Sequence, residues 1–153
     1  MLGLKDQYDY KSIYATALHH FGHASHFMQV GTAWWEKYCK YVLKSFVLSL
    51  GRNSYGSGTD NDHGYCELAE MWAFYVQTSL IRSRYSDNDA IYGTSWWFSP
   101  QILISLEERG LDRSRIFCSF TSDIIDREIL QERMLALYPE MKSIINQMFI
   151  RYN

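Results

Sequence analysis

The stretch LHHFGHASHF, residues 18–27, gathers four of the chain's five histidines into eight positions, with only small, apolar or hydroxyl residues between them. Around it Ile13, Ala17, Leu18, Phe21, Ala24 and Phe27 recur at spacings of three and four between Lys11 and Val30, the period of a helix. A second helical pattern, AWWEKYCKYVLKSFVLSL (33–50), runs to Gly51, and a third, YCELAEMWAFYVQTSLIRSRY (65–85), carries Leu68, Met71, Trp72, Tyr75, Val76 and Leu80. Between these two lies GRNSYGSGTDNDHG (51–64), rich in Gly, Asn, Asp and Ser, which reads as a loop, a flap or a linker.

Beyond SDNDAIYGTSWW (86–97), Ser99 as N-cap and Pro100 as first helical residue open a helix of roughly ten residues that Gly110 stops. Asp112 is expected to cap a short helix through Phe120, and Ser122 or Asp123 another that ends before Pro139. Pro139 then starts a last helix through Phe149. No run of alternating β-branched residues with hairpin turns occurs, and no internal repeat. The expectation is an all-α fold, one domain over residues 1–153 with six to seven helices.

The 153 residues suffice to bury a core without metal or disulfide staples. A net charge of -2 with acids and bases interspersed leaves no basic stripe, which argues against nucleic acid as a partner. Cys39, Cys66 and Cys118 form no CxxC pair and are odd in number, so neither a disulfide framework nor a cysteine zinc knuckle is indicated, and they read as buried thiols. No apolar run of eighteen residues is present, so no transmembrane segment is expected, and the N-terminus lacks a signal-peptide layout. The abrupt entry from MLGLKDQYDYKS into a helix reads as a fragment of a longer protein, with an N-terminal domain of the same chain as a candidate partner.

On a helix, positions 19, 23 and 26 fall within about 60° of one another. His19 and His23, one turn apart, have the spacing by which a helix offers two nitrogens to one tetrahedral metal ion. Gly22, Ala24 and Ser25 are the small residues expected where another element comes close. Such a site needs a third protein ligand, and Glu67 and Glu70 stand one turn apart in an aromatic context where an unpaired carboxylate is costly. His26 reads as a supporting donor or a packed core histidine. His63, in the loop just ahead of the glutamate helix, is a candidate for reaching the metal or for oxyanion donation, and Tyr65 and Tyr75 upon that helix are candidate oxyanion donors.

On these residues the chain resembles the zincin metallopeptidases. HHFGHASHF is similar to their HExxH helix, and AEMWA to the later glutamate-bearing helix of the gluzincin branch. The resemblance implies zinc as cofactor, His19 and His23 as ligands, and Glu70 as the third, with Glu67 its rival. The metzincin branch is excluded, since it needs glycine at 26 and histidine at 29, where this chain has His26 and Gln29. The flanking GHASHF also resembles zincin-like proteins of the bacterial cell envelope, which implies an envelope or secreted location. The helical part of a zincin floors its cleft, so a roofing sheet is expected to precede this chain.

One position departs from the family. The residue after the first histidine is His20, where zincins carry the glutamate that takes a proton from the metal-bound water. Either His20 substitutes as base, or Glu67 reaches the water, or peptidase chemistry on a peptide or protein substrate is weak or lost. The competing class is a non-catalytic, metal-stabilised module that binds peptide or carbohydrate. A dinuclear oxidase site built from His19, His23, His26, Glu67 and Glu70 is the third alternative, although no ExxH pair occurs to support it.

Overall fold

Gly31, at φ +83°, turns the chain between its first two helices in a conformation that L side chains rarely adopt. The computed structural model describes residues 10–86 and 89–152. Among them the chain forms α1 (Tyr10–Val30), α2 (Thr32–Leu48), α3 (His63–Tyr85), α4 (Gln101–Glu108), α5 (Arg113–Cys118), α6 (Arg127–Leu137) and α7 (Lys142–Arg151), with a 3₁₀ turn at Pro139–Met141. No strand is present among the described residues, so the all-α expectation holds. The opening residues 1–9, where the chain was read as starting abruptly, lie outside the described ones. No helix among the described residues is long and apolar enough to cross a membrane.

α3 is the axis of the fold. It is buried on nearly every side, as a helix without a continuous polar face must be. α1, α2, α4 and α6 pack against it, and α7 closes the far side against α4 and α6. The main core joins Leu68, Met71, Trp72 and Tyr75 of α3 to Phe98, Leu103, Leu106, Leu130 and Met148. Two indole N–H groups tie distant segments together: Trp34 Nε1 donates to the Ile124 carbonyl at 2.8 Å, and Trp72 Nε1 to Ser25 Oγ at 2.8 Å.

The face that α1 buries is not the one its apolar periodicity suggested. Ala15, Leu18, Gly22, His26 and Val30 face inward, while Ile13, Phe21 and Phe27 are exposed, Phe21 to 70%. The reason is a close approach: a Cβ at Gly22 would stand 2.6 Å from Ala73 Cα, so only glycine lets α1 lie this near α3. Ser25 also lies at this junction, whereas Ala24 points to solvent.

Several boundaries shift. Ser99 does not cap α4; it holds φ +49° and donates its hydroxyl to the Tyr152 carbonyl at 2.8 Å, with Pro100 as the flanking residue. Asp112 caps α5 by accepting from Ser114 N, and this helix ends at Cys118 rather than Phe120. Asp126, not Ser122 or Asp123, caps α6, accepting from Ile129 N at 2.8 Å. Of the thiols only Cys66 is buried; Cys39 and Cys118 are exposed. The 51–62 segment is tied to α2 by Tyr41 Oη, which donates to the Tyr55 carbonyl at 3.0 Å, and is braced internally by Asn53 Nδ2, which donates to the Gly56 carbonyl at 2.9 Å.

Candidate metal centre

The contact between Gly22 and Ala73 sets the spacing of everything around it. One residue beyond each of these positions α1 carries His23 and α3 carries Phe74, and one turn back along each helix stand His19 and Glu70. Their ligand atoms come together: one atom from each of His19, His23 and Glu70 lies within 4.8 Å of the other two. His19 Nε2 is 3.3 Å from Glu70 Oε2, His23 Nε2 is 3.5 Å from Glu70 Oε1, and the two Nε2 atoms are 3.1 Å apart.

Ring packing holds the imidazoles in place. His19 lies 4.5 Å from the Phe74 ring, and His23 lies 5.5 Å from Trp35 and 5.9 Å from Tyr38, centroid to centroid. Both Nδ1 atoms are buried without a hydrogen-bond partner among the described residues. Burial lowers the His23 imidazole to about 4, against the pull of Glu70, and His19 and His20 beside it act in the same direction. The neutral form of the ring is thereby favoured, and a neutral imidazole has one nitrogen lone pair that it can offer to a metal ion.

Glu70 is 1% exposed. Beyond its two imidazole contacts, among the described residues it accepts one hydrogen bond, from Tyr38 Oη to Oε1 at 2.7 Å, and Oε2 accepts none. A buried carboxylate beside a neutral imidazole is short of positive charge, which a divalent cation held by two nitrogens and one oxygen would supply. The donor set suits zinc, which takes imidazole and carboxylate ligands and keeps an open position in catalytic sites.

The other sequence-derived candidates lie elsewhere. His20 is exposed at the rim, its ring centroid 5.9 Å from His19 and 6.3 Å from His23. Glu67 is buried but points to α6, where Oε1 lies 3.3 Å from Arg127 Nη1; burial outweighs the arginine and pushes its carboxyl up to about 7. His26 is a core residue, 4.5 Å from the Trp34 ring and 5.6 Å from Phe120, and burial lowers it to about 3. The dinuclear alternative needs all five groups on one site, and only three of them converge among the described residues.

His63 sits on the first turn of α3 rather than in the loop, its Nδ1 2.9 Å from the Asp60 carbonyl oxygen. Seven residues separate it from Glu70, about 10 Å along the helix axis. Tyr65 packs at 5.0 Å against Trp34, and Tyr75 at 5.2 Å against Trp72. Tyr75 lines a groove of about 540 Å³ with Trp72, Val76 and Phe117 that shares no residue with the histidine cluster. Tyr38 is the functional candidate that sequence reasoning missed. It lies 32 residues from its partner and is one of twelve tyrosines, so only its helical register on α2 offered a signal.

Compared with known protein families, with characterised proteins and with solved structures, the chain matches none.

Proposed function

We propose that the chain is a zinc-binding, metallopeptidase-like domain in which His19, His23 and Glu70 hold the ion. The observation that carries this reading is the convergence of three ligand atoms within 4.8 Å, from two helices brought together at Gly22 and Ala73. A bound zinc ion lowers the pKa of its water and polarises a carbonyl. The chain's own residues then decide whether turnover follows. His20 stands in sequence where zincins carry the general base, and an exposed imidazole is a different proton acceptor from a held carboxylate. Peptide hydrolysis is accordingly weak or lost in this reading, with a peptide or protein as substrate or ligand.

A second reading, a metal-stabilised module that binds peptide or carbohydrate without turnover, is favoured by the position of Glu67. Engaged with Arg127, it is not available as the replacement base. The resemblance to cell-envelope zincins also supports an envelope or secreted location, which cell fractionation would test through recovery of the protein outside the cytoplasm.

The test of metal binding is elemental analysis and zinc titration of the full chain. One zinc per chain is expected, with greatly weakened binding in His23→Ala and Glu70→Gln. Zinc at a hundred times Kd should stabilise by about 2.7 kcal/mol. Failure of the native protein to take up zinc would refute the reading. His20→Glu then separates the two functions: a gain of zinc-dependent cleavage of a general protein substrate supports a weakened peptidase, and no gain supports the binding module.

A further inference from the structure

The Glu70 carboxylate has two oxygens in unlike surroundings. Oε1 accepts the 2.7 Å hydrogen bond from Tyr38 and lies 3.5 Å from His23 Nε2. Oε2 lies 3.3 Å from His19 Nε2, is buried, and accepts no hydrogen bond from the described residues. A glutamate's terminal torsion is broad and nearly two-fold, so its backbone position alone does not choose which oxygen faces a given point. A short bond from a phenol to a carboxylate does choose, because it fixes the plane of the group.

The donor comes from a third helix. Tyr38 is half-buried on α2, and its ring lies 4.7 Å from Trp35 and 5.9 Å from His23, so its hydroxyl has little room to turn elsewhere. We propose that Tyr38 is a positioning residue of the metal site, which holds Glu70 Oε1 by hydrogen bond so that Oε2 alone serves as the ligand oxygen. The inference rests on the reading of His19, His23 and Glu70 as metal ligands. It adds that α2 helps define the site, and that the carboxylate binds through one oxygen, leaving an open position. Hydrogen-bonding partners of metal ligands commonly govern affinity over a ten- to hundredfold range.

The test uses the full chain and Tyr38→Phe, which keeps the ring against Trp35 and removes only the hydroxyl. Zinc affinity is measured by competition with a chromophoric chelator, and coordination by the visible spectrum of the Co²⁺-loaded protein. Native protein should give the intense bands of a four-coordinate site. Tyr38→Phe should bind zinc ten- to hundredfold more weakly and give the weaker bands of higher coordination, as Glu70 turns to offer both oxygens. In a Glu70→Gln background the same change should have no further effect on residual Co²⁺ binding. Far-UV circular dichroism checks the fold.

Absence of zinc binding in the native protein would refute the metal site itself and this inference with it. Tight binding with Tyr38→Phe equal to native in affinity and spectrum would overturn the role of Tyr38 alone. A phenolate-to-metal charge-transfer band in the native Cu²⁺-loaded protein would make Tyr38 a ligand and overturn positioning. Should Tyr38→Phe fail to fold, the structure of the zinc-loaded native protein still decides: both Glu70 oxygens within about 2.2 Å of the ion would overturn the role of Tyr38, and Oε2 alone at that distance would support it.

Discussion

Gly22 of α1 and Ala73 of α3 meet backbone to backbone: a Cβ placed on Gly22 would stand 2.6 Å from Ala73 Cα and 3.2 Å from its carbonyl oxygen. His23 follows the first of these residues, and Glu70 lies three positions before the second. The same contact that seats one helix on the other therefore sets the gap across which imidazole and carboxylate meet.

Gly22→Ala should consequently damage stability and site together. Its methyl meets backbone rather than a yielding side chain, so the helices must separate, at a cost of about 1–3 kcal/mol. Thermal unfolding should show a clear fall in Tm, and zinc titration a weaker Kd. Ala24→Ser, on the exposed side of the same helix, should leave both unchanged. An unaltered zinc Kd in a destabilised Gly22→Ala would separate packing from site geometry and refute the coupling.

The Glu67–Arg127 pair gives stability an unusual dependence on pH. Burial raises the Glu67 carboxyl from 4.5 to about 7 against the pull of Arg127, with Asp126 and Glu128 adding repulsion. The folded state thus holds a proton that the unfolded chain releases above about 4.5. Its contribution is fully present below that pH and is lost as pH rises through 7, by on the order of 3 kcal/mol. Because His26 titrates in the opposite sense over part of this window, the readout is the difference between two proteins: in urea unfolding with chelator, native protein should lose stability relative to Glu67→Gln as pH rises from 4.5 to 7. A difference that stays constant across the window would count against the assignment.

His26 acts in the opposite sense. Burial lowers its imidazole from 6.5 to about 3, with His23 adding to the effect, so the folded state excludes a proton that the unfolded chain accepts. Its contribution is present above pH 6.5 and is lost as pH falls towards 3, by on the order of 5 kcal/mol. His26→Phe keeps a ring among Trp34, Trp35 and Phe120 and has nothing to titrate. Metal-free acid unfolding of this variant should begin at distinctly lower pH than in native protein; an identical acid midpoint would count against the assignment.

Helical periodicity was legible in each of the long helical stretches, because a repeat of three and four is a local property. Its inner face was not. Ile13, Phe21 and Phe27 carry the apolar signal on α1, yet the buried side is Leu18, Gly22 and His26. Hydrophobic pattern reports which residues avoid water on average, whereas close approach is set by which residues lack a side chain. Cap chemistry was legible at Asp112, whose carboxylate accepts from the Ser114 backbone N–H, and misread at Ser99, whose hydroxyl reaches the distant Tyr152 carbonyl.

The sequence by itself determined that the chain is helical, and that His19 and His23 share one helix face one turn apart, since both follow from the geometry of a single helix. Which glutamate meets them was a question of tertiary structure. Glu67 and Glu70 are equivalent in local spacing, and only the packing of α1 and α6 on different sides of α3 turns Glu70 towards the histidines and Glu67 towards Arg127. Tyr38 belongs to the same class of fact: its hydrogen bond spans 32 residues and depends on where α2 comes to rest, which no local pattern encodes.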